Sequence, residues 1–286
     1  MTAAPDAPGA AGRAAELLAW FGGVGQVAVA FSGGVDSALV LAAAVRALGP
    51  GRVHAVTAVS PSLPSGMLTL ARQLATSLQV RHTEMPTAEM DSPGYRANGA
   101  DRCYFCKSTL LDALLALDGL TAGELVVTGT NADDTKAGWR PGIRAAAERG
   151  ARTPLADVGL SKQQVREISH RWQLPTWDRP ASPCLSSRIA YGIQITPARL
   201  ARVDQAEQAV RRALDAAGIQ VHDLRVRDLG DSARVEVDGA LVEAVQRCAA
   251  VRPAVAAAGF GSAGVEVRAF ASGALNSALP AALRFA

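Results

Sequence analysis

The chain's absences set the first limits. It has little net charge: 29 Lys and Arg stand against 26 Asp and Glu, a formal +3 over 286 residues. That argues against a bulk nucleic-acid binder and leaves room only for a local basic patch. No window is long and apolar enough for a membrane span. The Ala/Pro-rich N-terminus has no basic segment followed by an apolar core, so no secretory signal is expected and the expected compartment is the cytoplasm. Cysteine is scarce, four residues in all. In a reducing compartment Cys103, Cys106, Cys184 and Cys248 point to metal or redox groups, or inert core residues, more than to disulfides. No fixed-period repeat is present.

What remains is a globular composition, 49% hydrophobic and 19% charged, with length enough for one or two domains. Residues 1–10 read as a loose tail. From about 12 to 190, short apolar runs (Val27–Phe31, Val53–Val59, Val80–Glu84, Glu124–Thr128) alternate with helical stretches at 36–48, 66–78, 106–117 and 161–173. Strand–helix alternation of this kind predicts an α/β fold with a doubly wound parallel sheet. Residues 174–196, rich in Pro, Ser and Gly, read as an ordered loop or linker. A second, small α+β domain is expected over 197–286. It has a long amphipathic helix (197–217), strand-like "DLRVRDL" and "SARVEV" around a tight turn at "GDS", a helix at 239–258, and a last strand in "GVEVRAF".

The stretch "VAVAFSGGVDSA" joins the first strand to the first long helix. Backbone N–H groups and a helix N-terminus converge there, which suits a phosphate. Gly33 and Gly34 allow close backbone approach, and Ser32 and Ser37 supply hydroxyls. Asp36 would repel phosphate directly, so it either holds Mg²⁺ or fixes the loop as a cap. There is no G-x-x-x-x-G-K-[ST] and no G-x-G-x-x-G after a strand, which excludes the two commonest nucleotide loops. Locally, a plain capped strand–turn–helix junction remains an alternative. "SGGVDS" also resembles the PP-loop of the ATP pyrophosphatase superfamily, and "GTNADD" at 129–134, beginning with Gly129, resembles that superfamily's later nucleotide segment. The resemblance implies ATP cleaved between the α- and β-phosphates. NAD synthetase, GMP synthetase and tRNA thiolation enzymes are relatives of this type.

"DRCYFCK" sets Cys103 and Cys106 at the start of a helix beside Lys107. A helix N-terminus and neighbouring cations favour thiolate. The C-x-x-C alone fits zinc, iron–sulfur, dithiol redox chemistry or nothing, and the second C-x-x-C or His pair of a zinc ribbon is missing. With Cys184 in "PASPCLSSRIAYG", three thiolates fit a [4Fe–4S] cluster with one open iron; three separate small core residues are the alternative. Cys248 reads as a core residue in mid-helix.

Beyond these, "AFSGGVDS", "WRPG" at 139–142, "GAR" at 150–152, "SSRIAYG", "RVRDLGDSARVEV" and "SGALN" occur in one order along the chain. In these segments it resembles the LarE family of sulfur transferases of nickel-pincer nucleotide synthesis. The resemblance implies a carboxylate of pyridinium-3,5-biscarboxylic acid mononucleotide adenylylated by Mg·ATP, then AMP displaced by sulfur to leave a thiocarboxylate. It implies sulfur carried on a [4Fe–4S] cluster held by Cys103, Cys106 and Cys184, because the sacrificial cysteine of the other branch aligns with Pro183. Asp36 and Lys107 match residues at the ATP and substrate phosphates. Ser187 and Arg188 match a Ser-Arg pair near the site; Glu207, Arg225 and Glu236 match polar positions of the C-terminal region, with Ser187, Arg188, Glu207 and Arg225 implied at the substrate and Arg225 able to reach its phosphate from a neighbouring subunit. Glu207 could instead sit on a solvated helix face, and Arg225 with Arg227 on an exposed sheet face. Sulfide or a cysteine desulfurase is the expected sulfur donor, and a homo-oligomer is expected. Ala271 and Ala274 stand where the family carries basic residues, and Arg268 is the nearest substitute. A tRNA base is the competing sulfur acceptor, and a nucleotide-binding sensor the non-enzymatic reading.

Overall fold

The computed structural model describes residues 9–118, 120, 123–136, 138, 140–180, 183–261 and 264–271. The strands are β1 (Val27–Ala30), β2 (Val53–Val59), β3 (Arg81–Pro86), β4 (Leu125–Val127), β5 (Leu224–Asp228), β6 (Ala233–Val237) and β7 (Val265–Ala269). The helices of the first half are α1 (Ala10–Trp20), α2 (Val35–Leu48), α3 (Met67–Ser77), α4 (Pro93–Arg96) and α5 (Arg102–Leu115). Then come α6 (Ala132–Lys136), α7 (Pro141–Glu148), α8 (Pro154–Asp157), α9 (Lys162–Arg171), α10 (Pro197–Ala216), α11 (Val242–Arg247) and α12 (Val251–Ala257).

These elements form two compact units that interleave in sequence. The first takes its residues from 1–59, 66–87 and 106–181, the second from 60–65, 88–105 and 182–286. Two short excursions of the first half, 60–65 and 88–105, therefore belong with the C-terminal part, which a single linear cut near 190 does not express.

In the first unit four strands pair in parallel in the order β3-β2-β1-β4. β1 is the all-apolar Val-Ala-Val-Ala, with Val27 opposite both Val53 and Leu125. A central parallel strand is covered on both faces, which is why it lacks polar alternation. α2 is buried almost along its whole length, from Ala38 to Ala44 without exposure. Small side chains let it lie close against the sheet. α9 begins with a reciprocal capping box: Ser161 accepts from the Gln164 amide and the Gln164 side chain accepts from the Ser161 amide. The parallel sheet and its helices agree with the fold expected from the alternating runs.

In the second unit β5 and β6 form an antiparallel pair, Leu224 opposite Val237, and β7 runs parallel to β6. The turn at 229–232 closes with the Leu229 amide on the Ser232 carbonyl, and Gly230 takes φ +97°. α10 buries Leu200, Val203, Ala206, Val210 and Leu214, one stripe at helical spacing. Thr196 caps it and Pro197 opens it.

One helix departs from expectation. The stretch 239–258 is broken into a short turn at 239–241, α11 and α12. Pro253 explains the break: in a continuous helix its ring would meet the carbonyl of Ala249, whereas in the first turn of a new helix its missing N–H costs nothing. Cys248 is thus a half-buried C-cap residue with ψ 103°, not a mid-helix core residue.

Candidate functional site

The SGGVDS loop leaves the C-terminal end of β1, and Gly129 lies just past the end of β4. The strand order reverses between these two neighbours, from β3-β2-β1 to β4. In open α/β sheets that switch point is where ligands bind, beyond the carboxyl ends of the strands. The loop closes on itself. The Ser37 hydroxyl accepts from the Ser32 amide at 3.2 Å and lies 3.2 Å from the Ser32 hydroxyl and from the Gly34 carbonyl. Gly33 adopts φ +76°, where a side chain would be strained. A Cβ on Gly129 would stand 2.7 Å from the Ser37 amide nitrogen, so only glycine allows this approach.

Asp36 does not cap the helix: Gly34 occupies the N-cap position with no side-chain cap. Its carboxylate reaches across to other segments. Oδ1 accepts from Asn131 Nδ2 at 3.1 Å, and Oδ2 from Lys162 Nζ at 2.5 Å. The Lys162 backbone amide donates to Asp133 at 2.8 Å. Asn131 and Lys162 were not among the residues singled out in the sequence. Asn131 lies inside "GTNADD", a signal that could have found it. Lys162 lies inside the S-x-x-Q box, whose capping role conceals it.

Cys106 and Lys107 are half-buried on α5. Burial pushes the Lys107 amine below its usual range, opposed by the neighbouring Cys106.

The second unit holds the other two thiols. Cys103 is exposed in the first turn of α5, and Cys184 is half-buried just before a short turn at Leu185–Arg188. Cys184 Sγ lies 3.0 Å from the Ser186 hydroxyl, which takes a bond from Tyr95. The Arg102 guanidinium is buried here. It bonds Asn98 and the Ser186 carbonyl and stacks 5.4 Å from the Tyr191 ring. Burial opposes its charge, while Cys184 and Cys103 both raise its proton affinity.

The predicted substrate-side residues also meet within this unit, Arg188, Arg225 and Glu236 buried and Ser187 and Glu207 half-buried. Arg188 pairs with Glu207 at 2.9 and 3.2 Å and bonds the Pro183 and Cys184 carbonyls. Ser187 Oγ donates to the Cys184 carbonyl at 2.7 Å. Glu207 also accepts from the Val226 amide. Glu207 is therefore not on a solvated face. Arg227 forks onto Glu236 at 2.9 and 2.7 Å. Arg225 and Arg227 are 5% and 7% exposed, which overturns the exposed-sheet alternative. Burial, together with Arg188, holds the Arg225 guanidinium down to about 10. An anion would relieve that cationic crowding.

Residues 22–98 match the family described as NAD synthase. The chain is 45% identical over 221 residues to an uncharacterised protein of Synechocystis sp., covering 77% of this chain and 80% of that one. It is 30% identical over 230 residues to the pyridinium-3,5-bisthiocarboxylic acid mononucleotide synthase of Lactiplantibacillus plantarum, covering 80% of this chain and 81% of the relative. The chain belongs to the LarE family. Against that membership, Ala271 is an exposed residue two past β7, and Arg268 pairs with Glu266 at 2.5 Å on the strand's exposed end. Ala274 lies outside the described residues, as does Trp139 of "WRPG".

The donor chemistry suits a thiophilic group: Cys184 and Cys103 both raise the proton affinity of the buried Arg102, and Cys106 follows Cys103 by one turn of α5. Among the described residues no group of three His, Cys, Asp or Glu stands ready to hold a metal ion. No helix of the described residues is long and apolar enough to cross a membrane.

Proposed function

We propose that this protein is an ATP-dependent sulfurtransferase acting on a carboxylate of pyridinium-3,5-biscarboxylic acid mononucleotide. The observation that carries the reading is the loop at the β1–β4 switch point, with Asp36 held between Asn131 and Lys162 and Gly129 packed against Ser37. Ser32, Gly33, Gly34 and Ser37 bind the β- and γ-phosphates through amides and hydroxyls. Asp36, an oxygen donor of the right hardness, is the residue that would hold Mg²⁺, whose charge would offset that of the phosphates. The substrate carboxylate attacks the α-phosphorus, the bond to the β-phosphate oxygen breaks, and pyrophosphate leaves. The work of this site is positioning and charge neutralisation, to which Lys107 adds its amine. A sulfur nucleophile then attacks the acyl carbon and AMP departs.

Cys103, Cys106 and Cys184 are the residues that would hold a [4Fe–4S] cluster, which when bound would supply exchangeable sulfide. The buried Arg188 and Arg225 with the half-buried Glu207 and Ser187 are the candidate binding surface for the anionic mononucleotide. The test is anaerobic incubation with ATP, sulfide and the biscarboxylic mononucleotide, followed by mass spectrometry. Sulfur replacing oxygen on that compound, with protein mass unchanged, supports the reading. Pyrophosphate release without a sulfur-bearing product sinks it. Salt-sensitive tRNA binding with thiolated tRNA as product would transfer the activity to RNA.

A further inference from the structure

The segment just before Cys103 is tied to the loop that follows Cys184 by an unusual set of bonds. Asn98 is fully buried and takes φ +54°, the left-handed region, without being glycine. Such a conformation persists where surroundings demand it. Its side-chain amide donates to the carbonyls of Ala190 at 2.8 Å, Ile193 at 2.9 Å and, more weakly, Ile189 at 3.3 Å. Its Oδ1 accepts from Arg102 at 2.6 Å, and Arg102 donates to the Ser186 carbonyl at 2.9 Å. The main chain repeats the join, with the Gly192 amide on the Asn98 carbonyl and the Ile195 amide on that of Arg96. One short stretch thus grips the Cys184 loop at both ends, and Cys103 is the next residue.

Resting on the sulfur-transfer reading, we propose that Asn98 and Arg102 are positioning residues of the sulfur centre. They hold Cys184 beside the Cys103 end of α5, so that one thiophilic centre takes both sulfurs, with the Arg102 guanidinium as the fixed cation facing them. A guanidinium buried beside two sulfurs offsets the negative charge that a metal–thiolate centre carries.

The test uses the full chain, metal-free and anaerobic, titrated with Cd²⁺ alone. Its thiolate charge-transfer absorbance reports how many sulfurs reach the ion. The wild-type band is expected to fall on Cys103→Ser and on Cys184→Ser. Asn98→Gly keeps the left-handed backbone and removes every side-chain bond; it is expected to weaken Cd²⁺ binding about 10–100-fold and to lower the absorbance per bound ion. Arg102→Lys keeps charge and loses the fork, and Asn98→Asp keeps the acceptor for Arg102 and loses the donors; both should show smaller losses in the same direction. ATP binding on the same samples reports folding. If Asn98→Gly does not fold, Asn98→Asp and Arg102→Lys decide by the same criteria. Wild-type affinity and absorbance in the folded variants, or lost stability with absorbance per ion unchanged, overturn the positioning role and leave the sulfur reading standing. No cysteine-dependent band in the wild type overturns both.

Discussion

The nucleotide loop and the cysteine region are built by opposite means. The loop is a backbone device. Small residues at the end of a buried strand let main-chain amides and one helix N-terminus converge, and a single glycine from the neighbouring strand fits where nothing larger can. The cysteine region is a side-chain device. Its Cys184 loop is held by buried polar groups, Asn98, Arg102, Ser186 and Arg188, each with a partner on another segment of the chain. A backbone device is local and survives much surface change. A buried polar network is costly when half satisfied, so each of its members matters.

That contrast can be broken most forcefully in the buried charges. Arg227→Leu strips Glu236 of its forked partner and leaves a carboxylate 3% exposed without it. About 3–5 kcal/mol of stability should be lost in denaturant titration. An unchanged midpoint would show that the second unit does not depend on its polar network. Asp36→Asn should act on function and hardly on stability, lowering ATP-dependent pyrophosphate release by about 10²–10³-fold. Steady-state kinetics at varied Mg²⁺ would measure it, and near-normal rates would remove Asp36 from the site.

Gly129→Ala sharpens the claim that the loop is made of backbone. The added Cβ would stand 2.7 Å from the Ser37 amide nitrogen, and about 1–3 kcal/mol should be lost together with nucleotide affinity. Calorimetry of ATP binding checks this; unimpaired binding would mean that the two loops do not need their close approach. The smallest effect concerns pH. Burial pushes both His54 and His82 below their usual 6.5, with Arg81 acting further on His54 and Glu124 opposing. Glu84 opposes the shift at His82. Their neutral forms are the ones the fold favours, so the unfolded chain binds more protons below 6.5. Stability should be full above that pH and fall as pH drops from 6.5 towards the lowered folded values. Thermal melts of wild type and His54→Gln compared from pH 7.5 to 5 would show a shallower slope in the variant; identical slopes would exclude His54 as a cause.

Legibility in the sequence followed the same division. The four parallel strands, α2 and the SGGVDS turn could be read from local pattern, because burial on both faces and helix capping leave periodic, short-range signatures. The helix expected at 239–258 could not be carried through Pro253, a signal that was present and outweighed by the apolar spacing. Glu207, Arg225 and Arg227 were named, but their burial was not foreseen: alternation along a strand marks a shared face without saying what covers it. Asn98 and Arg102 left no local mark, whereas Asn131 sat inside "GTNADD" and Lys162 inside a capping box that hid its role.

By itself the sequence determined the alternation of strands and helices, the anion-ready loop and the identity of the three candidate sulfurs. These depend on residue type and near neighbours. Only the tertiary structure decided which sulfur faces which cation, that Asp36 binds across to Asn131 and Lys162 instead of capping its own helix, and that the arginines of β5 lie inside. Each of these rests on a hydrogen bond or ion pair between different segments of the chain, and desolvation gives such bonds their strength only once folding has brought both partners out of water.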